Sequence, residues 1–167
     1  DTIDKWLSEN YLEDTSLLYS IYSISKRHSE EIVKYCLKRE EIPYTILRPS
    51  QLYGNDPSFI KHHPFLYEII EKASKGQKVS LYGNYGGSAN YLHIMDFVEV
   101  IYRVVKNGVF GVYDCVTMIP NTYLEIARIA FELTNNTVAI EFVKDEEESG
   151  KVFTYDNTFY KRVNYYP

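Results

Sequence analysis

Tyr22 and Lys26 stand four residues apart in the stretch Tyr22-Ser23-Ile24-Ser25-Lys26. On a helix that spacing puts both side chains on one face, about a turn apart. A cation held beside a phenol lowers its pKa from a reference of about 10. The phenol can then exchange protons with a substrate hydroxyl or carbonyl near neutral pH. Proton exchange of this kind accompanies hydride transfer to or from a redox cofactor. Spacing alone carries little weight, because with 17 tyrosines in 167 residues roughly one Tyr-x-x-x-Lys is expected by chance. A second one, Tyr102 to Lys106, reads as that chance occurrence, with Lys106 suiting the negative end of an apolar helix.

The text after Lys26 separates the two. It runs Ser29-Glu30-Glu31-Ile32-Val33-Lys34-Tyr35-Cys36, then Ile42-Pro43-Tyr44-Thr45-Ile46-Leu47-Arg48-Pro49-Ser50-Gln51-Leu52-Tyr53-Gly54. Further on stands Asn90-Tyr91-Leu92-His93-Ile94-Met95-Asp96-Phe97-Val98-Glu99. In this order and spacing the segments resemble the extended short-chain dehydrogenase/reductase family, in its branch of NAD-dependent nucleotide-sugar epimerases and dehydratases. The resemblance runs from about Ser16 to Pro167.

That resemblance implies an α/β fold: the C-terminal part of a Rossmann-like doubly wound parallel sheet plus a small α/β substrate-binding region. Residues 1–57 would be a partial Rossmann segment with the catalytic helix and the strand after it. Residues 58–167 would be the substrate-binding region, interleaved with the last Rossmann elements. It further implies Tyr22 as acid/base, with Lys26 tuning it and holding the ribose of an NAD or NADP cofactor. Pro49 and Ser50 would pass the nicotinamide, while Gln51, Asn90 and Tyr91 would touch a sugar or nucleotide-sugar substrate. Asp96 is expected to cap the helix that follows it or to serve that neighbourhood. A homodimer through the helix bearing Tyr22 and Lys26 is a further implication.

Two departures qualify the resemblance. Members carry a Gly-rich turn, between the first strand and helix, for the cofactor pyrophosphate. It lies well before the catalytic tyrosine, whereas Tyr22 stands near the start of this chain. Gly83, Gly86 and Gly87 cannot substitute, since no helix opens directly on them; they read as a turn. Where many nucleotide-sugar enzymes place a phosphate-pairing Arg, this chain has Ala89; Lys161 or Arg162 in the tail could compensate. These departures allow a second reading, a non-catalytic ligand-sensing or scaffold protein that keeps the fold. The intact Tyr22/Lys26 pair speaks against it.

The elements that must position these residues follow from periodicity. Leu17, Leu18, Ile21, Ile24, Ile32, Val33, Cys36 and Leu37 predict a helix over about 16–40, and Pro43 stops it. Tyr44 to Leu47 reads as a buried strand, followed by a loop marked by Pro49, Gly54, Asn55 and Pro57. A helix is expected over 58–75 with Leu66, Ile69, Ile70 and Ala73 inward, then strands at 79–82 and 90–93. Helix 95–106 is expected to bury Phe97, Val98, Ile101, Val104 and Val105. Strand 110–116 precedes a helix over 121–134 with Leu124, Ala127, Ile129, Ala130 and Leu133 inward, then strand 139–143. Residues 1–15 read as irregular, and the acidic run 145–148 as a solvated loop. Alternating helices and strands argue α/β.

Composition narrows the classes. Hydrophobic content of 45% with 25% charged residues is that of a globular protein rather than a disordered one. A net charge of −5 without a basic stripe argues against a nucleic-acid partner. Apolar runs fall well short of the roughly 18 residues of a membrane span, and no signal pattern opens the chain. Cys36 and Cys115, each in an apolar segment, read as buried free thiols in a reducing cytoplasm. His62 and His63 read as a solvent-exposed pair rather than a metal site, lacking a third ligand at the right spacing; His28 and His93 read as structural. If the Gly-rich half is indispensable, calorimetric titration of these 167 residues with NAD(H) or NADP(H) will show no micromolar binding and no turnover.

Overall fold

A computed structural model describes residues 17–82, 88–118, 120–138, 140–143, 156 and 158–167. The expectations for 1–15, for the turn at 83–87 and for the acidic run 145–148 lie outside the described residues. The chain divides into two compact units, 1–46 and 47–167.

The first unit is built on helix α1, Leu17–Arg39. Lys38 and Arg39 occupy its last turn, where cations meet the negative end of the dipole. Glu41 adopts a left-handed φ of 54°, and Ile42 N–H closes back on the Leu37 carbonyl at 2.9 Å. This is the reverse turn that ends many helices, with Glu where glycine is commoner. Cys36 is exposed, contrary to its expected burial, because apolar neighbours in sequence point in other directions around a helix. Strand β1, Thr45–Pro49, follows, and from Leu47 it belongs to the second unit.

In the second unit β2 (Gln51–Tyr53) pairs in parallel with β5 (Tyr91–His93), Gln51 opposite Tyr91 and Tyr53 opposite His93. Strand β3 (Ser80–Tyr82) pairs in parallel with β8 (Glu141–Val143). Strand β4 (Ser88–Ala89) meets β7 (Asn121–Thr122) antiparallel, and β1 lies beside β6, Gly111–Cys115. Parallel pairs joined through helices agree with the expected α/β class.

The expected helix over 58–75 is two: α2, Ser58–His62, and α3, Pro64–Ser74. Proline pushes its predecessor out of the helical region, and His63 stands at φ −133°, ψ 58°. Helix α4 spans Ile94–Asn107 and α5 spans Tyr123–Thr134. A short α6, Thr158–Val163, closes the described chain.

Two apolar clusters hold this unit. Leu92, Val100, Val104, Cys115, Phe159, Tyr160 and Val163 form one, with Leu47 and Leu52 packed against it. Ile69, Ala73, Val79, Leu81, Ala127 and Phe131 form the other. Helix α4 inserts Val100 and Val104, while Val98, Ile101 and Val105, expected inside, are exposed. Ile70 on α3 and Ile129 and Leu133 on α5 are likewise exposed. Each helix carries more apolar residues than the one stripe that meets the core.

Capping is supplied by side chains. Thr122 Oγ1 accepts from Glu125 N–H at 3.1 Å, and the Glu125 carboxylate accepts from Thr122 N–H at 2.7 Å, a reciprocal capping box. Helix α4 is capped by His93, whose Nδ1 accepts from Met95 N–H at 3.2 Å. Asp96 does not cap; it accepts from the Tyr165 hydroxyl at 2.6 Å and so anchors the tail. Urea unfolding should show Leu92→Ala, at a fully buried site, losing about 2–5 kcal/mol, and Thr122→Ala losing about 1 kcal/mol.

Candidate functional site

On α1 the Lys26 ammonium sits over the Tyr22 ring, 5.5 Å from its centroid. Tyr22 is 61% exposed. Ser25 and Ser29 donate to backbone carbonyls one turn back, each at 2.8 Å, so the hydroxyls beside Tyr22 and Lys26 are bonded to their own helix. Lys106 lies over Tyr102 at the same 5.5 Å. Helical spacing alone therefore produces this geometry, and only the surrounding sequence distinguishes the two pairs.

The other five residues from the sequence reading lie together in the second unit. At the C-terminal end of β1, Ser50 N–H donates to the Cys115 carbonyl at 2.9 Å, and Gln51 N–H donates to the Asn90 carbonyl at 3.1 Å. Arg48 reaches Asp114 at 3.7 Å. The Ser50 hydroxyl is buried and has no hydrogen-bond partner. An orphaned buried hydroxyl costs about 1–3 kcal/mol unless something pairs with it, so it marks where a polar group of a ligand would fit.

Asn90 is braced on both faces of its amide. Its Nδ2 donates to the Thr117 carbonyl at 2.7 Å, and its Oδ1 accepts from Thr117 N–H at 2.9 Å and from Oγ1 at 3.1 Å. This ties the start of β5 to the segment leaving β6. Gln51 is exposed and Tyr91 half-buried. Burial, aided by Tyr123, pushes the Tyr91 phenol up to about 12, so it remains a neutral donor at ordinary pH.

Aromatic rings that the sequence reading did not connect surround Tyr91. Tyr53 meets it edge-on at 6.1 Å and His63 at 5.6 Å, while Tyr53 meets His93 at 5.1 Å. His63 is half-buried, not the solvent-exposed member of a pair, because Pro64 turns the chain there and lays the ring on Tyr91. β2 and β5 contribute one tyrosine each, Tyr53 and Tyr91, and their ring contacts depend on a pairing that spacing does not reveal. The next residue, Gly54, lies so close to α4 that an added Cβ would come within 2.7 Å of Ile94 Cγ2. Ala89 is buried, and Arg162 donates to the Tyr113 hydroxyl at 3.0 Å. Among the described residues no group of three or more His, Cys, Asp or Glu is gathered as a metal would need.

His63 is held below the usual histidine value, by burial first and by repulsion from His62, against an opposing hydrogen bond with the Leu52 backbone. The unfolded chain then takes up the proton before the folded one, so stability falls as pH drops through about 6.5 toward the lower folded value. An NMR titration should place the His63 midpoint below that of free histidine, and a His63→Gln variant should show a shallower loss of stability over that range.

The model of the NAD dependent epimerase/dehydratase family matches residues 8–115. The dTDP-D-glucose 4,6-dehydratase of Dictyostelium discoideum is 28% identical over 110 residues, which cover 64% of this chain and 24% of that protein. UDP-N-acetylglucosamine 4-epimerase from Bacillus cereus superposes with a TM-score of 0.70 at 15% identity, covering 90% of this chain and 51% of that one. The Bordetella bronchiseptica enzyme WbmF, solved with NADH, gives 0.70 at 19% identity, covering 92% and 49%. The chain thus spans about a quarter of the curated relative and about half of these solved structures.

Proposed function

The chain belongs to the NAD dependent epimerase/dehydratase family, and from that premise we propose that it forms the catalytic-helix and substrate-binding portion of an NAD(P)-dependent enzyme that epimerises, dehydrates or reduces a sugar or nucleotide sugar. The observation that carries this reading is the Tyr22/Lys26 pair, its two side chains on one face of α1 within the span that the family model matches. The named relatives are all enzymes, which does not favour a purely sensing or scaffolding role.

In this reading Tyr22 exchanges a proton with the substrate hydroxyl as that carbon becomes a carbonyl, or in the reverse sense. Lys26 attracts the negative charge that develops on the phenol oxygen during the transfer. A bound nicotinamide supplies hydride donor and acceptor chemistry. Tyr22, Lys26, Pro49 and Ser50 would hold that cofactor, and the unpartnered Ser50 hydroxyl suits a polar group on it. Gln51 and Tyr91, register partners across β2 and β5, face the substrate, and Asn90 positions them through its bonds to Thr117. The carboxyl ends of strands are where ligands gather in open α/β sheets, and Pro49 and Ser50 stand at the carboxyl end of β1, beside β6.

In the full-length protein, Tyr22→Phe should lower kcat by about 10²–10⁴ with little change in dinucleotide affinity. Lys26→Met should weaken both. Unchanged turnover in Tyr22→Phe, measured by absorbance of the reduced cofactor or by product analysis, would overturn the assignment.

A further inference from the structure

Helices α3 and α5 flank an open groove of about 390 Å³ that the proposed proton chemistry does not use. Leu66 and Ile70 form one wall, and Ile126, Ile129, Ala130 and Leu133 the other. The α5 residues recur at three- and four-residue steps, so they make a stripe running roughly 10 Å along that helix at 1.5 Å per residue. The stripe is open to water: Leu133 is 78% exposed, Ile129 52% and Ile70 43%. Its volume lies within the range of small-molecule sites.

The distribution of polar groups narrows the occupant. Tyr53, Tyr91 and Asn121 join the cavity wall near the start of α5, and Thr134 lies at the far end of that helix. No Asp, Glu, Lys, Arg or His lines the cavity among the described residues. A diphosphate or any other strongly charged group would lose its hydration there with nothing to replace it. Ala89 adds no cation nearby, since β4 pairs it with Asn121. An uncharged chain of methylenes gains from each carbon it buries, and the hydroxyl and amide groups at one end suit a polar head.

We propose that this groove receives an uncharged aliphatic chain carried by the substrate, its hydroxyl-bearing head lying at the Tyr53, Tyr91 and Asn121 end. The inference rests on the assignment of Gln51 and Tyr91 to the substrate, since Tyr91 both lines the groove and is the register partner of Gln51. It narrows that assignment to a sugar bearing an aliphatic chain in place of a nucleotide diphosphate.

The test uses n-alkyl β-glucosides from hexyl to decyl, kept below their micelle concentrations, titrated calorimetrically into the protein. Affinity should rise about fourfold per added methylene, and glucose alone should not bind. Ile129→Glu and Leu133→Glu change exposed positions, so circular dichroism should show the fold intact while decyl glucoside binding weakens at least tenfold. Equal affinity along the series, or undiminished binding in both variants, would overturn the proposal. The series is read without turnover, so the two readings fail separately. A flat series with turnover lost in Tyr22→Phe removes the groove and leaves the catalytic assignment. A rising series with turnover unchanged in Tyr22→Phe removes the catalytic assignment, and the groove remains a site for an aliphatic ligand.

Discussion

Parallel pairing of Gln51–Tyr53 with Tyr91–His93 is the constraint on which the rest of the second unit depends. A parallel pair cannot be joined by a tight turn, so the intervening chain must leave at Gly54, form α2 and α3, and return through β3 and β4. At the entry end the pairing brings Ser50, Gln51, Asn90 and Tyr91 together, and Asn90 extends the junction to Thr117. At the exit end it sets Tyr53 edge-on to His93, and α4 begins directly from that strand. A slip of one residue would turn Tyr91 to the opposite face and dissolve the cluster.

The packing explains why this junction can be held in place. Leu92, between two half-buried neighbours on β5, is fully enclosed by Val100 and Val104 of α4 and by the closing helix. That helix is anchored at several points: Tyr160 donates to the Val116 carbonyl at 2.8 Å, Arg103 to the Asn164 carbonyl at 2.6 Å, and Tyr165 to Asp96. Burial pushes the Cys115 thiol up to about 12, which leaves it a neutral packing group beneath Ser50 rather than a reactive one. The one buried side-chain polar atom without a partner among the described residues is the Ser50 hydroxyl. It stands out because the groups around it are satisfied.

Apolar residues in excess of the core are the other theme. Helix α5 uses Ala127 and Phe131 for the interior and leaves Ile129 and Leu133 outside. Helix α4 does the same with Val98 and Val105. A helix has one stripe to give to a core, so further apolar residues must face solvent or something not bonded within the chain. Along α5 the exposed stripe meets Leu66 and Ile70 of α3 and becomes a groove with walls and a polar end.

Much of this was legible from residue order alone. The α/β class, the family and the longer helices and strands were readable, because periodicity and motif order are properties of the chain itself, whereas β2 inside the expected loop, β7 at the start of the expected helix and the closing α6 were not. Element ends followed from local chemistry, except where Pro64 split one expected helix and where short strands such as β2 needed a distant partner to exist. The face chosen by each helix was not readable: Ile129 and Val105 look as apolar as Ala127 and Val104, and only contact with other elements, such as Ile69 and Ala73 for Ala127, decides which turns inward. The same holds for the site. Sequence named Tyr22, Lys26, Pro49, Ser50, Gln51, Asn90 and Tyr91 through local order. Tertiary structure decided that Asn90 is bound to Thr117, that the Ser50 hydroxyl is left unpaired and that His63 meets Tyr91, because hydrogen bonds and burial arise between segments whose separation in sequence carries no record of their meeting.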